Sequence, residues 1–344
     1  MSKETYRALC RTEESIPLFS QDWWLDTVCG EANWEVLLIE EGRRVQAAWP
    51  LYRPCPHLVT MPPCTQTMGI WFAPFPDDMK YASALERRQS LCRQLVDRLK
   101  SRVFLQRFPY TFTDWLPFYW AGYRQTTRYT YLLHNLKDAE SLWDGMNRNL
   151  RRNIRKARDT CRITVRTGIP VDDFLRMQSL TFERQHRKNR QPDGVLRRLV
   201  DVCRARQQGE LWGGYDETGR LHAAAFVVWQ KRSAYYLAGG GDPSLRHSGA
   251  HSLVLWEAIR FAAGRSDTFD FEGSMLPGVE RFFREFGGIQ TPYFSIGKGK
   301  RSLIDRIRMA VRARFGDCFL RRNDGARQVD QTLGGGGYLL SNER

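Results

Sequence analysis

Residues 268–288 read TFDFEGSMLPGVERFFREFGG, and the order of these residues decides what fold the chain can take. The segment starts as a strand. Asp270 and Glu272 stand two apart in an apolar run, so a strand puts both carboxylates on one face and Phe269 and Phe271 on the other. Gly273, Pro277 and Gly278 then break it. Beyond the break Val279, Phe282, Phe283 and Phe286 recur at i, i+3, i+4 and i+7, the apolar stripe of a short helix. Glu280 with Arg284, and Arg281 with Glu285, make i,i+4 pairs on its outer side, and Gly287 with Gly288 supplies the stop. A strand ending in paired acids, a glycine turn and an aromatic-faced helix frame a cleft, and the active site is expected here.

Working outward, this strand proves to be half of an internal echo. RVQAAWPL (44–51) follows a turn at residues 40–42, and RLHAAAFV (220–227) follows the turn DETG. Each is preceded by an apolar strand, WEVLLIE in one case and ELWGGY in the other, so each predicts a hairpin. The offset is 176 residues. The order after each hairpin also agrees: a strand (QTMGIWF; SAYYLAG), a helix (82–100; 248–263), then a strand (VFLQRF; TFDFEG). We therefore expect an α/β chain of two similar halves, 1–136 and 137–298, followed by a basic, partly helical tail, 299–344. The first-half strand VFLQRF carries Gln106 and Arg107 but no acid, so a carboxylate base belongs to the second half alone.

Formal net charge is +15, and its placement is informative. The stretch RNLRRNIRKAR (148–158) has six basic residues and no acid. Residues 298–327 carry ten basic residues against Asp305, Asp317 and Asp324. Two such patches indicate an anionic partner, a solvated helix face being the plainer alternative. The first patch lies on a predicted joining helix with Asp138 as N-cap. Its apolar edge is Leu142, Met146, Leu150, Ile154 and Ala157, with the arginines turned away. Guanidinium groups suit bidentate phosphate contacts, which makes Arg148, Arg152, Arg155 and Lys156 candidates for gripping a diphosphate, a coenzyme or an RNA backbone. In GGGDPSLRHSGAHSLVLWEAIRFAAG (239–264), Ser248, Gly249 and Ala250 open a helix whose apolar face is Leu253, Trp256, Ile259 and Ala263. Small residues at a helix N-terminus suit an anion, and equally suit an ordinary strand-to-helix turn.

At 344 residues, 42% hydrophobic and 26% charged, the chain has the composition of about two globular domains. Its eight cysteines show no CxxC and no Cys/His pairing at ligand spacing, so no metal is expected and the thiols read as reduced. The start, MSKETYRALCRTEE, lacks a signal-peptide core and no apolar run approaches ~20 residues; a cytoplasmic location is expected. His186, His222, His247 and His251 suggest neither a metal set nor a Ser/His/Asp arrangement, which disfavours a hydrolase.

The run RNLRRNIRKAR, the loop-helix RHSGAHSLVLWEAI and the block FDFEGSMLPGVERFFREFGG together resemble the FemABX-like branch of the GNAT acyltransferase superfamily, over roughly residues 20–298. The resemblance implies two tandem GNAT-like domains, each a mixed twisted sheet flanked by helices. It also implies transfer of an acyl or aminoacyl group, from a coenzyme A thioester or an aminoacyl-tRNA, to a primary amine of a small molecule or cell-envelope precursor. The coenzyme loop of that superfamily, Arg/Gln-x-x-Gly-x-Gly/Ala, is matched by Arg246 and Gly249 at the right spacing, with His251 in the last position. It makes Arg246, Ser248, Gly249 and Ala250 the donor-binding candidates. A Phe-Lys-x-x-Phe-Gly segment of the branch corresponds to Phe282, Phe283, Arg284, Glu285, Phe286 and Gly287, where Arg284 is the cation nearest the lysine position.

Amine attack on an ester or thioester needs a neutral nucleophile, a donor for the developing oxyanion and close alignment. Glu272 is the expected base and Asp270 its partner, since two carboxylates on one face raise each other's pKa. The resemblance implies that Arg284 could substitute for the lysine that stabilises the reacting carbonyl, and Tyr235, Tyr236 and Tyr293 are possible proton donors. A non-catalytic RNA-binding or adaptor role is the alternative, supported by the basic helix and tail and by abundant Trp and Tyr. In the tail Ile304, Ile307, Val311 and Phe315 form one apolar edge among arginines, so 299–322 either contacts a membrane surface or packs on the core.

Overall fold

The computed structural model describes residues 2–184 and 193–299, and its frame is a sheet that runs through both halves of the chain. The strands are β1 (Trp34–Glu41), β2 (Arg44–Cys55), β3 (Leu58–Thr60), β4 (Trp71–Phe72), β5 (Val103–Arg107), β6 (Arg124–His134), β7 (Thr164–Thr167), β8 (Gly209–Tyr215), β9 (Leu221–Trp229), β10 (Ser233–Gly241), β11 (Thr268–Asp270) and β12 (Ile289–Lys298). Their order is β1-β2-β3-β5-β12-β6-β11-β10-β9-β8-β7, with β4 beside β2. Both predicted hairpins, β1/β2 and β8/β9, are present and antiparallel. In the first half β3 runs parallel to β5, and in the second β10 runs parallel to β11. One element of the echo falls elsewhere than expected. The strand equivalent to β10 is β3, whereas QTMGIWF contributes only Trp71 and Phe72 to pairing, against β2.

The ends of the two halves lock the sheet together. β12 lies between β5 and β6, and β6 lies between β12 and β11, so strands remote in sequence fill its centre. Helices cover both faces: α1 (Ser2–Thr12), α2 (Asp22–Cys29), α3 (Tyr81–Arg98), α4 (Leu116–Trp120), α5 (Ala139–Gly145), α6 (Arg148–Arg155), α7 (Val171–Arg184), α8 (Asp193–Ala205), α9 (Ala250–Ala262) and α10 (Pro277–Arg284). This is why β9 is buried along its whole length and β2 is buried from residue 47 to 52. Neither strand has a wet face, so neither shows the alternation of a half-exposed strand.

Three apolar clusters follow. Trp49, Phe104 and Phe118 pack under α3 and α4. Leu150, Ile154, Leu253, Phe269, Phe271 and Phe283 pack among α6, α9 and α10. On the opposite face Trp24, Tyr52, Phe174, Leu196 and Phe226 join residues of both halves into one core. Each such side chain contributes roughly 1.5–3 kcal/mol by leaving water, so the shared core ties the halves together.

The predicted joining helix is interrupted. Asp138 does cap α5, accepting from Ser141 N at 2.9 Å, but the helix stops at Gly145. Asn147 N then donates to Glu285 O at 2.8 Å, and Asn147 Oδ1 accepts from Asn149 N at 2.8 Å to start α6. Gly287 lies against this break: a Cβ on it would stand 2.6 Å from Gly145 O. Close approach of the turn after α10 therefore sets where the helix divides. His186, Cys318 and the tail from residue 300, with its predicted amphipathic edge, lie outside the described residues.

Candidate functional site

β10 and β11 pair only through residues 233–235 and 268–270. β10 carries on to Gly241, with an irregularity between Tyr236 and Ala238, while the chain leaves β11 after Asp270. The parted strands open a cavity of about 670 Å³, lined by Gln178, Tyr236, Gly239, Ser248, Gly249, His251, Glu272 and Phe283 among others. α7 closes one side: a Cβ at Gly240 would lie 2.3 Å from Met177 O, an approach only glycine permits.

The paired acids do not share a strand face. β11 ends at Asp270, and Glu272 adopts a left-handed conformation with φ 57°. Gly273 follows at φ 58°, where a Cβ would stand 2.0 Å from Tyr129 O. The sharp turn comes from this squeeze against β6, and it carries Glu272 off the strand line into the cavity wall. Asp270 stays behind it. Its Oδ1 accepts from Glu272 N at 2.7 Å and from the Thr130 hydroxyl. Burial pushes the Asp270 carboxyl up to about 6. The cause is loss of hydration, where the sequence suggested mutual repulsion of two acids. Phe269 and Phe271 do point together, into the apolar cluster under α10, with rings 5.2 Å apart.

Around Glu272 the sheet centre is polar. Gln66 Nε2 donates to Glu272 O and to the Tyr293 hydroxyl, the latter at 2.8 Å. Arg128 Nε donates to the same hydroxyl at 3.2 Å. Tyr293 is thus fixed within this layer. Tyr235 packs on Phe19 at 4.6 Å and does not line the cavity. Tyr236 is the candidate tyrosine that lines the cavity, its hydroxyl 2.9 Å from His251 Nε2. Burial holds the His251 imidazole down at about 4, which leaves it neutral near pH 7.

The loop that opens α9 is braced from three sides. Gly249 has φ 76°, and a Cβ there would lie 2.6 Å from Asn153 O of α6. Lys156 Nζ donates to His247 O at 2.7 Å. Ser248 Oγ lies 3.0 Å from His222 Nδ1, and His222 Nε2 lies 3.1 Å from Asp216 Oδ2. This Ser/His/Asp chain was not visible in the sequence, because its members sit on a turn, a strand and a loop. Ser248 Oγ also accepts from Ala250 N at 3.2 Å, and hydrogen bonds from Thr218 and His222 hold the Asp216 carboxyl far below its usual range. With every partner satisfied and Ser248 buried, the chain works as a brace between the loop and the β8–β9 turn.

The remaining candidates are spread more widely. Arg246 is exposed on the cavity rim, and Ala250 lines the wall beside Gly249. Arg148, Arg152 and Arg155 are exposed on α6, with the Arg155 guanidinium 5.3 Å from the Trp143 ring; Asn153 is the α6 residue in the cavity wall. Arg284 lies on the outer face of α10, its Nε 3.1 Å from Glu280 Oε1, and Arg281 pairs with Glu285 at 3.1 Å, both pairs as the spacing predicted. Arg281 and Glu285 line the cavity mouth.

Residues 145–284 match the model of the acetyltransferase (GNAT) domain. Among solved structures, FemX is 12% identical and matches over 89% of this chain and 98% of its own, with a TM-score of 0.64. The C-terminal domain (DUF2156) of a protein assigned as a lysylphosphatidylglycerol synthetase from Agrobacterium fabrum is 12% identical over 90% of this chain and 96% of its own, at a TM-score of 0.54. L-PGS from Bacillus licheniformis is 10% identical over 90% and 96%, at 0.52. At these identities the likeness is one of fold. No curated protein matches the sequence. Residues 145–284 match a GNAT acetyltransferase domain, and the chain as a whole shares the fold of FemX and of the lysylphosphatidylglycerol synthetase C-terminal domain.

Proposed function

We propose that the chain is an N-acyltransferase. It moves an acyl or aminoacyl group from a coenzyme A thioester or an aminoacyl-tRNA to a primary amine of a small molecule or cell-envelope precursor. The observation that carries this reading is the cavity between β10 and β11, which has the α9 loop on its rim and a buried carboxylate, Glu272, in its wall. Arg246, Gly249 and Ala250 face the donor's phosphates, and the basic side of α6 is the nearest further source of guanidinium groups. Glu272 takes a proton from the amine as its nitrogen attacks the acyl carbonyl carbon, and the carbonyl electrons move to oxygen. The electrons return as the carbon–sulfur bond, or the ester bond to ribose, breaks. The Tyr236 hydroxyl supplies a proton to the departing atom. Asp270 orients Glu272 through its backbone.

Purified protein incubated with acetyl-CoA, and separately with a mixed aminoacyl-tRNA pool, in a cell extract that supplies acceptors tests the reading. Consumption of one donor is expected. Consumption of neither would overturn it.

A further inference from the structure

We propose that the face carrying α4 docks on an anionic membrane surface. The helix is apolar on its outside: Leu116, Tyr119 and Trp120, at i, i+3 and i+4, are 42%, 58% and 54% exposed, while Pro117 and Phe118 point into the core. A solvated helix should show the reverse pattern. Trp115 extends the patch, its ring 5.4 Å from that of Tyr119. Large amphipathic rings held outward by a packed backbone suit the zone between lipid headgroups and acyl chains.

Cations ring this patch. The Arg93 guanidinium, on α3, lies 5.9 Å from the Trp120 ring. Arg124 is exposed at the start of β6, opposite Gly297. Lys298 Nζ donates to Ala121 O at 2.7 Å and stands 4.8 Å from the Tyr123 ring. The nearby acids are Asp114, which accepts from Gln89, and Asp97, one turn beyond Arg93.

The cations around the rings, Arg93, Arg124 and Lys298, commit this face to an anionic surface. β12 ends at Lys298, beside the end of α4, and the 45 residues after Gly299 lie outside the described ones. Between Lys300 and Arg327 they carry nine basic residues and three acids, with Ile304, Ile307, Val311 and Phe315 at helical spacing. Aromatic anchors ringed by cations, on a chain whose next residues are basic in sequence, match a surface of anionic lipid by apolar insertion and charge attraction together. Among the described residues no helix is long and apolar enough to cross a membrane.

Flotation of the full chain with vesicles tests this without donor or acceptor, and so stands apart from the acyl-transfer reading. Vesicles of phosphatidylcholine with about a third phosphatidylglycerol should carry at least about tenfold more protein than pure phosphatidylcholine, an advantage that shrinks in high salt. Tyr119→Ser with Trp120→Ser should lower that flotation at least about fivefold while circular dichroism and melting stay unchanged. Equal flotation with both vesicle types overturns the proposal. So does full flotation of the α4 variant, which would leave the tail as sole anchor. Concentration-dependent self-association of the wild type, abolished by the α4 substitutions, would assign the face to a second copy and overturn it as well.

Discussion

Asp270 Oδ1 accepts the backbone N–H of Glu272 at 2.7 Å, so the carboxylate behind the cavity holds the backbone of the one in its wall. Glu272 needs that hold. A non-glycine residue at φ 57° carries local strain of roughly 1–3 kcal/mol. The bond from Asp270, and the bond from Gln66 to Glu272 O, keep the turn in place. In the proposed mechanism the two acids have separate tasks, Glu272 toward the substrate and Asp270 toward the backbone.

If Glu272 is the base, Glu272→Gln, which keeps size and polarity, should leave folding intact and lower kcat/KM by at least about tenfold. Steady-state kinetics with the identified donor checks this, with circular dichroism as the folding control. An unchanged kcat/KM removes Glu272 from the mechanism.

Asp270 should make stability depend on pH in an unusual direction. Its carboxyl titrates near 6 when folded and near 3.8 unfolded, so the native state binds the proton more tightly. The associated stability is fully present below about pH 3.8 and is lost as pH rises to about 6, a change of about 3 kcal/mol. Asp270→Asn keeps an acceptor for Thr130 and Glu272 N and removes the titration. Urea unfolding from pH 4 to 7 should show the variant's stability rising relative to wild type; parallel curves would refute this.

Gly249→Ala should destabilise the loop that opens α9 by about 2–4 kcal/mol, because the new Cβ meets Asn153 O at a φ that alanine resists. Gly278→Ala, with nothing within 4 Å of its Cβ, is the control and should stay within about 0.5 kcal/mol. Thermal melting compares them.

The Ser248 brace predicts a binding defect more than a chemical one. Ser248→Ala removes the partner of His222 Nδ1 and the acceptor for Ala250 N, at about 1–3 kcal/mol of stability. KM for the donor should rise while kcat changes little. Loss of kcat with KM unchanged would instead mark Ser248 as a participant in the reaction.

Thiol labelling reads the cores directly. Burial pushes the thiols of Cys29, Cys92 and Cys203 far up, and that of Cys10 to about 12, whereas Cys55 is exposed. Alkylation of native protein near pH 8, mapped by peptide mass, should modify Cys55 at least about a hundredfold faster than the three buried thiols. Comparable rates would mean that these cores open readily.

The sequence by itself determined the local devices. Two hairpins, the helix that follows each, the Asp138 cap, the aromatic stripe and the ion pairs of α10 all depend on neighbours within a few residues, and all stand where the pattern put them. The tertiary structure alone decided what rests on contacts between distant strands. It placed β12 between β5 and β6, since edge strands of the two halves find their partners only when both sheets exist. It split the joining helix where Gly287 reaches Gly145. It also turned Glu272 away from Asp270, because Gly273 must pass within contact of Tyr129 O on a strand some 140 residues earlier. The spacing of two acids is written in the chain, but the face each one takes is set by what the fold presses against it.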